Sequence, residues 1–167
     1  DKKVGKKIKP TDDVTDLSLS DLAFPATTNA NELANHIKGI SREKMVVVFS
    51  TYQSIDVISK AQNDFDVPEF DLIICDEAHR TTGVTLVGSD ESNFVRIHNN
   101  DDIPGKKRLY MTATERIYGE NAKQRADEEE ATLASMDDEE RFGKRFFHRG
   151  FGWAVENNLL TYYKVVV

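Results

Sequence analysis

The chain has 167 residues, 39% of them apolar and 31% charged, with a formal net charge of −7. That mixture suits one globular domain with a real core, and the net charge argues against a dedicated basic nucleic-acid module. No apolar run approaches the roughly 18 residues that cross a bilayer, the charged start lacks a leader's apolar stretch, and the single cysteine, Cys75, rules out an internal disulfide and a cysteine-based zinc site. A reducing, cytoplasmic setting with no membrane partner is expected.

Residues 1–20 read as an irregular polar segment that opens with a basic run, Asp1 to Lys9, and residues 21–167 as the domain proper. Asn29 with Glu32 three residues on is a capping-box pattern and predicts a helix to about Lys38, ended by Gly39. Met45–Phe49 is a short apolar run rich in β-branched residues and reads as a strand. Ser54 caps a second predicted helix with Ile55, Val57, Ile58 and Ala61 on its apolar face. Asp71–Cys75 and Arg108–Thr112 are further strands, and Tyr162–Val167 a last one. Continuous rather than alternating apolar runs suggest strands buried on both faces of a mostly parallel sheet. Thr81 to Lys107 reads as a long loop or a set of short elements. Glu120 to Ala134 is rich in good helix formers and predicts an exposed helix. It overlaps an acidic run, Asp127 to Glu140, followed by a basic one, Arg141 to Arg149. Phe147, Phe151, Val155 and Leu159 predict a helix from Phe146 to Asn158 buried on one side. Strands alternating with helices make an α/β fold.

The chemistry concentrates where the second strand ends. Four apolar residues, Leu72-Ile73-Ile74-Cys75, lead into Asp76-Glu77-Ala78-His79. Ligands of open parallel sheets bind at that carboxyl edge. Mg²⁺ prefers oxygen ligands and keeps several waters, so Asp76 and Glu77 suit a Mg²⁺ held largely through water. Asp76 can hold the hydration shell, Glu77 can orient the water that attacks a γ-phosphate, and His79 can link that site to its neighbours. The plainer alternative is a solvated acidic turn. Thr112-Ala113-Thr114 ends the next strand; its hydroxyls either bond to the carboxylates or satisfy a local turn. Thr51-Tyr52-Gln53 precedes a helix and can contact a phosphate or serve as ordinary capping.

These residues resemble superfamily-two helicases. Asp76-Glu77-Ala78-His79 looks like their motif II and Thr112-Ala113-Thr114 like their motif III. Thr51-Tyr52-Gln53-Ser54 looks like the nucleic-acid-contacting segment before motif II. The continuation Arg80-Thr81-Thr82-Gly83, the stretch Leu22 to Asn29 and the ending Phe151 to Glu156 are similar to motors of type I, type III and single-polypeptide type ISP restriction systems. Glu115 departs from the pattern, where such motors often carry proline. The resemblance implies a RecA-like three-layer first motor domain, ATP hydrolysis with Mg²⁺, tracking of double-stranded DNA, and further motor, nuclease and methyltransferase modules elsewhere.

A phosphate loop is missing. Gly5-Lys6, Gly105-Lys106 and Gly143-Lys144 are followed by Lys7, Lys107 and Arg145 rather than by a hydroxyl residue. With no initial Met and no phosphate-loop strand, the chain is expected to be the later part of the first motor domain, over 21–167, of a longer protein. It should be inactive by itself. An RNA helicase, a degenerate motor-like binding module and a metal-dependent hydrolase remain as alternatives; the last needs more ligands than His36, His98 and His148 obviously supply.

Overall fold

The Asn29 side chain accepts the N–H groups of Asn31 and Glu32, satisfying two donors that the first turn of a helix leaves unpaired. Helix α1, Ala30–Lys38, follows from that cap and ends at Gly39. The computed structural model describes residues 24–41, 43–86, 94–129 and 131–162. The expected polar segment 1–20 and all but Tyr162 of the last expected strand lie outside these residues. By its contacts the chain forms two units, Asp1–Ile73 with Ser92–Arg108, and Ile74–Glu91 with Leu109–Val167.

In the first unit α1 packs on α2, Ile55–Asn63. Ala34, Ala61 and Val67 form the buried centre, with Leu33, Ile37 and Phe65 against it. Small residues at the contact let the two helices approach closely, and the larger side chains close the rim. A 3₁₀ turn at Tyr52–Ser54 leads into α2, and another at Arg96–His98 follows later in the unit. Arg96 ties that turn to α2 (Nη1 to Asp56 Oδ1 2.9 Å, Nη2 to Ser59 Oγ 3.2 Å) and to Asp102 (Nε to Oδ1 3.0 Å). Burial opposes the Arg96 charge, and the hydrogen bonds it donates to Asp56 and Asp102 outweigh it and raise the Arg96 pKa.

Strand β1, Ile73–Cys75, pairs with β3, Arg108–Tyr110, and the unit boundary falls within both. The pairing is parallel, extended by a bridge from Phe70 to Gly105. Gly105 leaves room there for the Ile73 side chain: a Cβ would stand 3.0 Å from Ile73 Cγ1 and closer still to its Cδ1, so Ile73 would have to shift. In the second unit β2, Gly83–Leu86, runs antiparallel to β4, Ala131–Ala134, in the register Gly83 to Ala134. Helix α3, Glu120–Glu128, packs on β4, and the short helices α4, Glu139–Phe142, and α5, Phe151–Glu156, follow. The fold is mixed α/β with a small parallel sheet.

Three expectations are corrected. Met45–Phe49 forms no strand; Met45 is 88% and Val47 58% exposed. An apolar run becomes a strand only when a neighbour takes its backbone hydrogen bonds, and no described strand lies beside this one. Glu120–Ala134 is not one helix: pairing with β2 overrides helix propensity from Ala131 onward. The helix expected over Phe146–Asn158 shrinks to α5, and Phe147, Phe151 and Leu159 are exposed rather than buried. Gly150 breaks the run, serving as N-cap.

Candidate active site at the end of the first strand

Strand β1 delivers its last residue, Cys75, into the interior, where it is 2% exposed. Two residues later the chain turns sharply. Glu77 adopts φ 49° and ψ 44°, the left-handed region, which costs a non-glycine residue roughly 1–2 kcal/mol. Its surroundings hold it there. The Glu77 N–H donates to Asp76 Oδ1 at 2.9 Å. The Ala78 N–H donates to the Met111 carbonyl at 2.8 Å, just as the Met111 N–H reaches Cys75 O at 2.9 Å, so the link to the β3 side continues past the turn. Buried Ala78 and Thr81 anchor a 3₁₀ turn over Ala78–Thr81, with Thr81 Oγ1 donating to Ala78 O at 2.8 Å. Strained backbone of this kind persists where its neighbours over-determine it, and such places cluster at functional sites.

The result is a pair of exposed carboxylates at the carboxyl edge of a parallel sheet, with a half-buried histidine behind them. His79 Nδ1 lies 3.2 Å from Glu77 Oε2, 3.0 Å from Thr112 Oγ1 and 3.5 Å from Thr114 Oγ1. Thr112 Oγ1 also donates to Thr114 O at 3.0 Å and accepts the Thr114 N–H at 3.1 Å. The hydroxyls thus close a local turn, one of the two alternatives open for this tripeptide, and they also reach the His79 ring rather than the Glu77 carboxylate. Of the residues singled out from the sequence, the second unit brings together Asp76, Glu77, His79, Thr112 and Thr114, with Ala113 exposed between the two threonines. Thr51, Tyr52 and Gln53 belong to the first unit. There Thr51 Oγ1 donates to Ser54 Oγ at 3.2 Å, and neither Thr51 nor Ser54 caps a helix through its side chain.

Among the described residues no group of three or more His, Cys, Asp and Glu side chains is arranged to enclose a metal ion. Asp76 and Glu77 fit a different demand, that of a Mg²⁺ which keeps most of its water and takes one or two carboxylates together with a substrate's phosphates.

Sequence reasoning missed a second polar cluster in this unit. A cavity of about 300 Å³ is lined by Lys123, Leu133, Ser135, Asp137 and Asp138. Lys123 Nζ reaches Asp137 at 2.8 Å, Ser135 donates a short hydrogen bond to Asp137, and the Tyr118 N–H donates to Ser135 Oγ at 3.0 Å. The Lys123 and Ser135 bonds hold the Asp137 carboxyl below its ordinary range. An acidic run with one lysine fourteen residues upstream carries no local signal for this pairing.

The family model described as "Type III restriction enzyme, res subunit" matches residues 7–117. Two solved structures are similar to the chain. One is a nuclease-deletion mutant of the Type ISP restriction-modification enzyme LlaGI in complex with a DNA substrate mimic, at 43% identity and TM-score 0.65, over 86% of this chain and 11% of that one. The other is the ATP-dependent Type ISP restriction-modification enzyme LlaBIII bound to DNA, at 46% identity and TM-score 0.65, over 89% of this chain and 10% of that one. This chain therefore spans about a tenth of the length of those enzymes, and its fold is that of part of a helicase RecA-like domain. Comparison with curated proteins found no match. Among the described residues no helix is long and apolar enough to cross a membrane.

Proposed function

The chain belongs to the type III restriction enzyme res-subunit family, and on that premise we propose that residues 21–167 are the later part of the first motor domain of an ATP-driven DNA translocase of a restriction-modification system. The observation that carries the proposal is the turn after β1. Two carboxylates stand at the sheet's carboxyl edge, and His79 is hydrogen-bonded to the hydroxyl residues that follow β3. The relatives' ATP dependence and bound DNA support the same reading.

In this reading Asp76 and Glu77 hold the Mg²⁺, largely through its waters; the ion's contribution when bound is to offset charge on the phosphates. Glu77 orients the attacking water and takes its proton. Its side chain is exposed, with Oε2 3.2 Å from His79 Nδ1. His79 carries the state of Glu77 to Thr112 and Thr114, the route by which hydrolysis is coupled to movement on DNA. Thr51, Tyr52 and Gln53 contact the DNA backbone. The duplex, further motor, nuclease and methyltransferase modules of a longer protein, and a cytoplasmic location complete the proposal. The phosphate loop lies outside this sequence, so the chain by itself binds nucleotide poorly and does not turn it over.

The test is Glu77→Gln in the longer protein. DNA-stimulated ATP turnover should fall by at least about a hundredfold while ATP binding stays within about twofold, as expected when only a transition-state interaction is removed. Unchanged turnover would take Glu77 out of the role. In the isolated chain, micromolar nucleotide binding seen by calorimetry would contradict the assignment of the phosphate grip to another segment.

A further inference from the structure

We propose that the stretch from Lys144 to Trp153 is a contact strip for unpaired nucleic-acid bases. It rests on the nucleic-acid part of the reading above and goes beyond it, because stacking needs bases that a duplex hides. Four large rings are exposed within eight residues: Phe146 at 83%, Phe147 at 67%, Phe151 at 46% and Trp153 at 42%. Soluble surfaces rarely expose apolar side chains so densely without a partner.

Charge identifies the partner. No Asp or Glu occurs from Arg141 to Val155, although the chain as a whole carries −7. Arg145 is held by both oxygens of Glu115, at 2.7 and 2.9 Å, which tethers the strip. Lys144 and Arg149 make no ion pair among the described residues. The Arg149 guanidinium lies 5.0 Å from the Phe147 ring centre and 5.1 Å from that of Trp153. One cation is thereby drawn to two ring faces, and rings and positive charge share one surface. Protein–protein interface cores also favour Phe, Trp and Arg; what favours a polyanion here is the stretch from Arg141 to Val155 without a single carboxylate. Surfaces that take single strands combine aromatic platforms for the bases with cations for the phosphates. Among the described residues, 144–149 make no backbone–backbone hydrogen bonds and belong to no helix or strand, and Phe151 and Trp153 follow in the first turn of α5.

Trp153 is the only tryptophan, which makes its fluorescence a direct report of stacking. The experiment titrates the chain with a short oligothymidylate at low salt and follows Trp153 emission. Quenching that weakens as salt rises is the expected result. Phe147→Ala should weaken binding about tenfold, and Arg149→Gln by a similar factor. Both side chains are exposed, and far-UV circular dichroism checks that the variants remain folded. A duplex of equal length should quench less than the single strand. No quenching up to roughly 0.1 mM oligonucleotide, equal quenching by the duplex, or unchanged affinity in both variants would overturn the strip, as would sedimentation showing it buried between copies of the chain. The Glu77→Gln measurement reads ATP turnover on duplex DNA, so failure there leaves the fluorescence result standing, and the reverse holds as well.

Discussion

Arg96 meets its three oxygen-bearing partners with three nitrogens, whereas His79 meets three oxygens with one. The guanidinium has enough N–H groups to bond Asp56, Ser59 and Asp102 at the same time. That arrangement has one satisfied state, and it fixes the Arg96 turn against α2. The imidazole Nδ1 carries either one hydrogen or one lone pair, so it serves Glu77, Thr112 or Thr114 one at a time. Thr112 has a choice as well, because its hydroxyl reaches Thr114 O as readily as His79. A cluster with more partners than bonds can exchange them at little cost. The first cluster holds the Arg96 turn in one arrangement, and the second has the spare partners that the proposed coupling from Glu77 would use.

The difference can be broken from the structural side first. Arg96→Met removes bonds to two carboxylates and leaves Asp102 without its partner, so the chain should lose about 2 kcal/mol of stability in denaturant unfolding. A loss below about 0.5 kcal/mol would mean that the clamp is ornamental. Thr112→Val keeps the shape and deletes the hydroxyl. It should cost the fold about 1 kcal/mol or less, yet in the longer protein it should reduce DNA stimulation of ATP turnover about tenfold while leaving basal turnover near its starting value. Equal loss of both rates would point to a role in folding rather than in coupling.

The smallest effect is a pH dependence. The Lys60 and Arg96 bonds hold the Asp56 carboxyl below its ordinary 3.8. The stability this lends is therefore present above that value and disappears as pH falls through the lowered one. Acid unfolding of the Arg96→Met chain should show a weaker pH dependence over that window, because one of the two cations is gone. An identical profile would assign the whole effect to the exposed pair with Lys60, 2.6 Å away.

Two local patterns match the structure, whereas Ser54 starts α2 without capping it through its side chain. Asn29 with Glu32 announces α1, and the structure shows Asn29 capping two N–H groups. The apolar run before Asp76 announces β1, and the carboxylates emerge at its end. Elements that depend on distant partners misled. Met45–Phe49 has strand composition and no described neighbour to pair with. Ala131–Ala134 has helix-friendly context and is taken into a sheet by β2. Phe147 and Leu159 fit a helical period and lie outside the six-residue helix that forms.

By itself the sequence singled out the candidate site: Asp76, Glu77, His79 and the Thr112 to Thr114 tripeptide stand out by residue type at the ends of two apolar runs. Only the tertiary structure decided that Glu77 sits in a left-handed turn, that His79 reaches across thirty-three residues to Thr112, and that Arg96 closes over α2. Residue type and spacing along the chain fix which groups can do chemistry, because those properties are local. Which groups touch is set by how the chain folds back on itself, and no local pattern encodes a contact between residues that distant.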